Sequence, residues 1–272
     1  MRRWVAIVLS SLVVACGGAG GGGESGNNAP AQPGTRTLSA ITSVETGVTY
    51  NYQVYVPPGY AQGTARYPVI YAADGEYRFP VLSGVLEVQR RDAILVTVWH
   101  MGAERRWIDF TMPGAEAYYR FLTRELVPSI DAIYRTDPAM RVYSGHSLSG
   151  QFAVYALYLE RPGERHFNAF ISGDGSFWAR PDMTFEPAQG GEPATTMERQ
   201  MFERDRNLPV SLVLAGTSQG NGTRVGLLHE RLAARGYTNL RLRELQYTNG
   251  HVAMDEPSFT EALAFVLERA SR

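Results

Sequence analysis

The sequence contains a single cysteine, Cys16, among 272 residues. No intramolecular disulfide can form, so the fold must be held by burial and hydrogen bonding. Neither sign of charge is in excess: 26 basic and 27 acidic residues leave a formal net charge of −1. Nucleic-acid binding needs a basic footprint, and the balance offers none. The apolar run from Trp4 to Ala15, broken only by Ser10 and Ser11, is shorter than a membrane-spanning helix requires. No cluster of side chains has metal-ligand spacing, so neither a metal nor an organic cofactor is implied.

What is present at the N-terminus is an address. "MRRWVAIVLSSLVVAC" puts two arginines before a short apolar run, the pattern of a secretory signal peptide over residues 1–15. "VVAC" resembles the lipobox of bacterial lipoproteins, which makes Cys16 the expected lipidation site; ordinary cleavage after Ala15 is the alternative. Gly17, not an acid, follows the cysteine, and lipoprotein sorting then points to the periplasmic face of the outer membrane. Residues 17–34, "GGAGGGGESGNNAPAQPG", read as a tether of on the order of 25 Å root-mean-square span. A single domain is expected over residues 35–272, an ordinary globular length.

Within it, "VTYNYQVYVPPGY" alternates, with Val48, Tyr50, Tyr52, Val54 and Val56 on one side, as a half-buried strand does. "YPVIYAADGE", "DAILVTVWH", "RVYSG", "FNAFISGDG" and "LPVSLVLAG" are short continuous apolar runs, the signature of strands covered on both faces. Helical patterns separate them, among them "SGQFAVYALYLERPG", "TRVGLLHERLAARG" and the C-terminal "EPSFTEALAFVLERASR". The alternation predicts a mostly parallel α/β sheet with helices on both faces.

"RVYSGHSLSG", residues 141–150, joins a buried strand to an amphipathic helix through a serine-rich turn. A nucleophile on such a strand–turn–helix elbow needs small residues two before and two after it, because the backbones pass close there. Ser144 has Val142 and His146 at those positions, and Ser149 has Gln151 after it. Only Ser147, between Gly145 and Ser149, satisfies the rule, and Ser149, where glycine is usual, reads as tolerated. A serine needs a base. Of the five histidines, His251 lies in "YTNGHVAMDEP" after the last strand and before the last helix, in the chain order that α/β-hydrolases use. His100 ends a strand, where an open sheet contacts substrate.

With these residues in place the chain resembles the "Putative esterase" family of α/β-hydrolases, and within it the siderophore-esterase-like branch. The resemblance rests on "YPVIYAADGE", "RRWIDFTMP", "FLTRELVPSIDAIYRTDP", "GHSLSG" and "ISGDGSFW". It implies the α/β-hydrolase fold and a serine hydrolase acting on a small-molecule ester. It also implies an oxyanion hole from the Leu148 amide and an amide at Gly75 or Glu76. Arg105 or Arg106 would hold an anionic substrate group, unless Arg106 pairs with Asp109. Trp178 would roof the pocket or belong to the core.

The catalytic acid departs from the family pattern. "TSQGNGTR" follows the strand after which the family commonly carries it, and has no carboxylate. Asp174, past the preceding strand, is one replacement; a dyad with His251 oriented by Gln219 or a backbone carbonyl is another; Asp255 and Glu256 rank below both. An acyltransferase on the same scaffold, or a non-catalytic binding lipoprotein, are the rival functions.

Overall fold

The computed structural model describes residues 34–100, 102–177 and 194–268. The signal segment, Cys16, the tether up to residue 33, and Trp178 therefore lie outside the described residues. Eight strands form one sheet: β1 (Thr35–Thr42), β2 (Thr49–Val56), β3 (Tyr67–Ala72), β4 (Ile94–Val98), β5 (Thr136–His146), β6 (Ala169–Gly173), β7 (Ser211–Gln219) and β8 (Arg241–Gly250). Their order across the sheet is β1-β2-β4-β3-β5-β6-β7-β8. β1, β2 and β4 pair antiparallel. From β4 onward every pairing is parallel. This is the α/β-hydrolase fold expected from the sequence.

Eight α-helices pack around it: α1 (Gly75–Val88), α2 (Ala103–Phe110), α3 (Gly114–Phe121), α4 (Val127–Ile133), α5 (Leu148–Leu159), α6 (Ala194–Arg204), α7 (Gly222–Arg235) and α8 (Asp255–Leu267). One face of the sheet is covered by α1 and α8, through Phe79, Leu82, Leu86, Phe259 and Leu263. The other is covered by the remaining helices, with Phe110, Tyr118, Phe121 and Phe152 beneath α2, α3 and α5. The central strands are buried on both sides, Ile94–Val98 and Ala169–Gly173 without a break, which is why they read as unbroken apolar runs. β2 alternates as expected, Tyr50, Tyr52 and Val54 pointing into the core, although Tyr55 is buried too, under α1.

Four of the described helices, α1, α2, α4 and α6, have no counterpart in the sequence reading. α1 carries Pro80 and Gly84 inside it, both poor helix residues, and its apolar side chains are spread around it. α2 and α6 are short and polar.

Candidate active site

β5 runs up the middle of the sheet and stops at His146; α5 begins at Leu148. Ser147 is the single residue between them, at φ 61° and ψ −122°. Few non-glycine residues adopt such a backbone, and strain of this kind collects at functional sites. The turn is held on both sides of the serine. The Ser147 amide donates to the Gly173 carbonyl at 2.8 Å, and the Ser147 carbonyl accepts from the Ser176 amide at 3.0 Å. A side chain at Gly145 would meet the Ser149 carbonyl oxygen at 1.9 Å, so the position two before the serine admits glycine alone.

The neighbouring serines are engaged elsewhere. Ser144 Oγ accepts from Arg78 at 3.2 Å. Ser149, taken from the sequence as merely tolerated, is fully buried and bonded: its Oγ accepts from the His146 amide at 2.9 Å and donates to Asp74 Oδ2 at 2.8 Å.

His251 sits in the turn that opens α8, about one-third exposed, with Nδ1 against the Asp174 carboxylate. Asp174 follows β6 directly, at φ 42°, and has no solvent exposure. A buried carboxylate needs donors. Asp174 has the Thr217 amide at 3.0 Å and the Asn221 amide at 3.0 and 3.1 Å, and the Asn221 side chain donates to its backbone carbonyl at 2.6 Å. These donors come from the end of β7 and the loop after it, the stretch without an acid. Gly220 makes room: a Cβ there would lie 2.1 Å from Asp174 Oδ2. Gln219 turns the other way and donates to the Thr248 carbonyl, which removes it as the orienting partner of His251.

A cavity of about 700 Å³ contains Ser147 and His251. Tyr77, Val81, Val252 and Ala253 give it an apolar rim. The first turn of α1, whose N-cap is Asp74 at φ 60°, lines the same cavity as Ser147. The Gly75 and Glu76 amides precede the first intrahelical bonds, which start with Tyr77 and Arg78 donating to the Asp74 carbonyl. The Leu148 amide is the corresponding first-turn group of α5. Gly75 is needed for its fit: a Cβ would meet Thr97 Oγ1 at 2.5 Å. The Glu76 carboxylate accepts from the His100 amide at 3.1 Å; burial nevertheless pushes it above its ordinary range.

The arginines correct the sequence reading. Arg105 is bonded to the buried Asp109, which also accepts from Tyr50 Oη at 2.9 Å. Arg106 grips Asp74 with two bonds, at 2.7 and 3.1 Å. Asp109 is thus the partner of Arg105, not of Arg106, and both guanidinium groups are already matched to a carboxylate. Burial would push Asp74 up, but Arg106 outweighs it and holds the carboxyl below its usual range. His100 lines the cavity, as its place at a strand end suggests. It is only 1% exposed: its ring is tilted against Phe110, with centroids 4.5 Å apart, and its Nδ1 accepts from the Asp74 amide at 3.5 Å. Burial pushes its pKa down to about 4, so the ring is neutral.

Sequence reasoning missed the parts that His146, Arg78 and Asp255 play at the site. His146, next to the nucleophile in the chain, has its ring centroid 4.8 Å from that of His251. Burial pushes it down to about 4 despite Asp255 Oδ1 at 3.6 Å. Asp255 forms a bidentate pair with Arg78, at 2.7 and 2.9 Å, stitching α8 to α1 beneath the cavity. Burial would raise Asp255, and Arg78 reverses the direction. Nothing local in the sequence marks a pair 177 residues apart.

Residues 43–261 match the family model described as "Putative esterase". The chain belongs to this family. Over 283 aligned residues it is 27% identical to the ferri-bacillibactin esterase BesA of Bacillus subtilis (strain 168), covering 89% of this chain and 92% of that protein. The BES protein of Bacillus cereus superposes with a TM-score of 0.72 at 20% identity, over 86% of this chain and 95% of that one. An IroE-like serine hydrolase of Shewanella oneidensis does so at 0.70 and 22%, over 85% and 79%. The chain is a serine hydrolase acting on esters.

Proposed function

We propose that the chain cleaves a small-molecule carboxylic ester through an acyl-enzyme on Ser147, with His251 as general base and Asp174 as the acid that orients it. The observation that carries this reading is the Asp174 carboxylate against His251 Nδ1, in a turn that opens on the same cavity as the strained Ser147. Ser147 Oγ attacks the ester carbonyl and its proton passes to His251 Nε2. Asp174 fixes the tautomer with the proton on Nδ1 and stabilises the imidazolium that forms. The oxyanion is received by the Leu148 amide and by Gly75 or Glu76 at the head of α1; a donor of this kind is worth roughly 3–4 kcal/mol in the transition state. The tetrahedral adduct collapses, His251 returns the proton to the leaving alcohol, and water repeats the sequence to free the acid.

BesA is named for a ferric siderophore ester. In this chain Arg78 and Arg106, on the cavity wall, are each matched to a carboxylate, and the rim is apolar. These features favour an ester whose groups next to the scissile bond are apolar or aromatic. A fluorophosphonate probe tests the reading. It should label Ser147 and nothing else, and Ser147→Ala should lose both labelling and hydrolysis of p-nitrophenyl acetate; retained hydrolysis would refute it. Anchoring through Cys16, on the periplasmic face of the outer membrane, is proposed from the sequence. Cys16→Ser should release the domain to the soluble fraction, and an unmodified Cys16 in the mature protein would refute it.

A further inference from the structure

Ser149 stands where a nucleophile elbow usually has glycine, and its hydroxyl is bonded on two sides. Toward its own turn it accepts from the His146 amide at 2.9 Å. Its proton has two acceptors in reach, the His146 carbonyl at 2.9 Å and Asp74 Oδ2 at 2.8 Å. The ionised carboxylate is the stronger acceptor. Asp74 is not a bystander. It is the left-handed N-cap of α1, its carbonyl accepts the first bonds of that helix, and its position decides where the Gly75 and Glu76 amides point. Arg106 holds the same carboxylate through both of its oxygens. The series Arg106–Asp74–Ser149 therefore runs from α2 across the head of α1 into the Ser147 turn. Arg78, which donates to the Ser144 carbonyl at 3.1 Å, ties α1 to β5 further from the nucleophile.

We propose that Ser149 is a positioning residue: its hydroxyl holds the Ser147 turn and the head of α1, the two halves of the oxyanion pocket, in register. This rests on the esterase mechanism above, whose two oxyanion donors come one from each half. Ser149 touches neither substrate nor reacting atoms; it acts through Asp74 and through the His146 amide. A misplacement of about 1 Å between reacting groups can cost on the order of 100-fold in rate.

A double-mutant cycle on turnover of p-nitrophenyl acetate tests it. Ser149→Ala and Asp74→Asn should each lower kcat about 10- to 100-fold with KM within about twofold, and the double variant should fall no more than about threefold below the worse single one. Ser149→Gly, which restores the usual elbow residue and fits the turn, should be as impaired as Ser149→Ala. The rate of fluorophosphonate labelling should fall in step with kcat, which a purely stabilising role would not produce. Labelling of the parent at Ser147 is read separately: its failure would remove the esterase mechanism and this proposal together. With labelling intact, a Ser149→Gly enzyme turning over within twofold of the parent, or fully additive losses in the cycle, would overturn the proposal alone.

Discussion

The loops that follow β6 and β7 lie side by side at the catalytic edge of the sheet and divide one task between them. The β6 loop supplies a charge: Asp174, buried and aimed at His251. The β7 loop supplies no charge and surrounds that carboxylate with amides, from Thr217 and Asn221, across a glycine that allows close approach. The difference teaches that the acid of a hydrolase is defined by where its carboxylate arrives rather than by the strand that carries it. Parallel pairing sets Gly173 beside Ala215 and His146, so either loop can reach the same histidine. What the acid-free loop retains is the solvation of the charge.

That division can be broken from either side. Gly220→Ala places a methyl carbon 2.1 Å from Asp174 Oδ2; the carboxylate must shift, and kcat should fall by about 100-fold with little change in KM. Parent-like turnover in that variant would show that the close approach of the two loops is dispensable. Asn221→Ala keeps the backbone amide and removes the side-chain bond to the Asp174 carbonyl, so a loss of about 5- to 10-fold is expected in the same assay. Gln219→Ala removes only a bond to the Thr248 carbonyl and should stay within about twofold. A loss larger than that of Asn221→Ala would return Gln219 to the catalytic unit.

Stability against pH sharpens the comparison at the neighbouring edge of the cavity. His100 and His146 both have pKa values pushed down to about 4 from 6.5, by burial. In the unfolded chain they bind protons near pH 6.5 that the folded protein refuses until about pH 4. The unfolded state thus holds more protons in that window, and stability is lost as pH falls through it. The thermal midpoint should drop between pH 7 and pH 4.5, and His146→Gln should shrink the drop. An unchanged slope would mean that His146 binds its proton as readily in the fold as in the unfolded chain.

Much of this was legible in the sequence, for identifiable reasons. β5, β6 and β7 show as apolar runs because both their faces are buried, and the sheet follows from their alternation with helices. Ser147 shows because sterics at the elbow select one of three serines, and Gly145 bears the constraint. Asp174 could be named as the leading acid but not separated from a dyad, since its claim depends on amides about 45 residues away in the chain. The arginines were misassigned for a related reason. Arg105 and Arg106 are adjacent, and helix geometry sends one toward Asp109, four residues on, and the other across to Asp74. Spacing along α2 marks the first pair; only the tertiary fold brings the second together. Ser149 looked like an accommodated methylene and hydroxyl, because its partner Asp74 lies 75 residues before it.

The central claim is that Asp174 is the acid of the catalytic unit, and the turnover number of Asp174→Asn tests it most directly. Asparagine keeps the size and removes the charge, leaving His251 without the partner that fixes its tautomer. With the fold intact by circular dichroism, kcat on p-nitrophenyl acetate should fall by about 10⁴-fold. Turnover within a few fold of the parent would contradict the account and leave Ser147 and His251 working as a dyad.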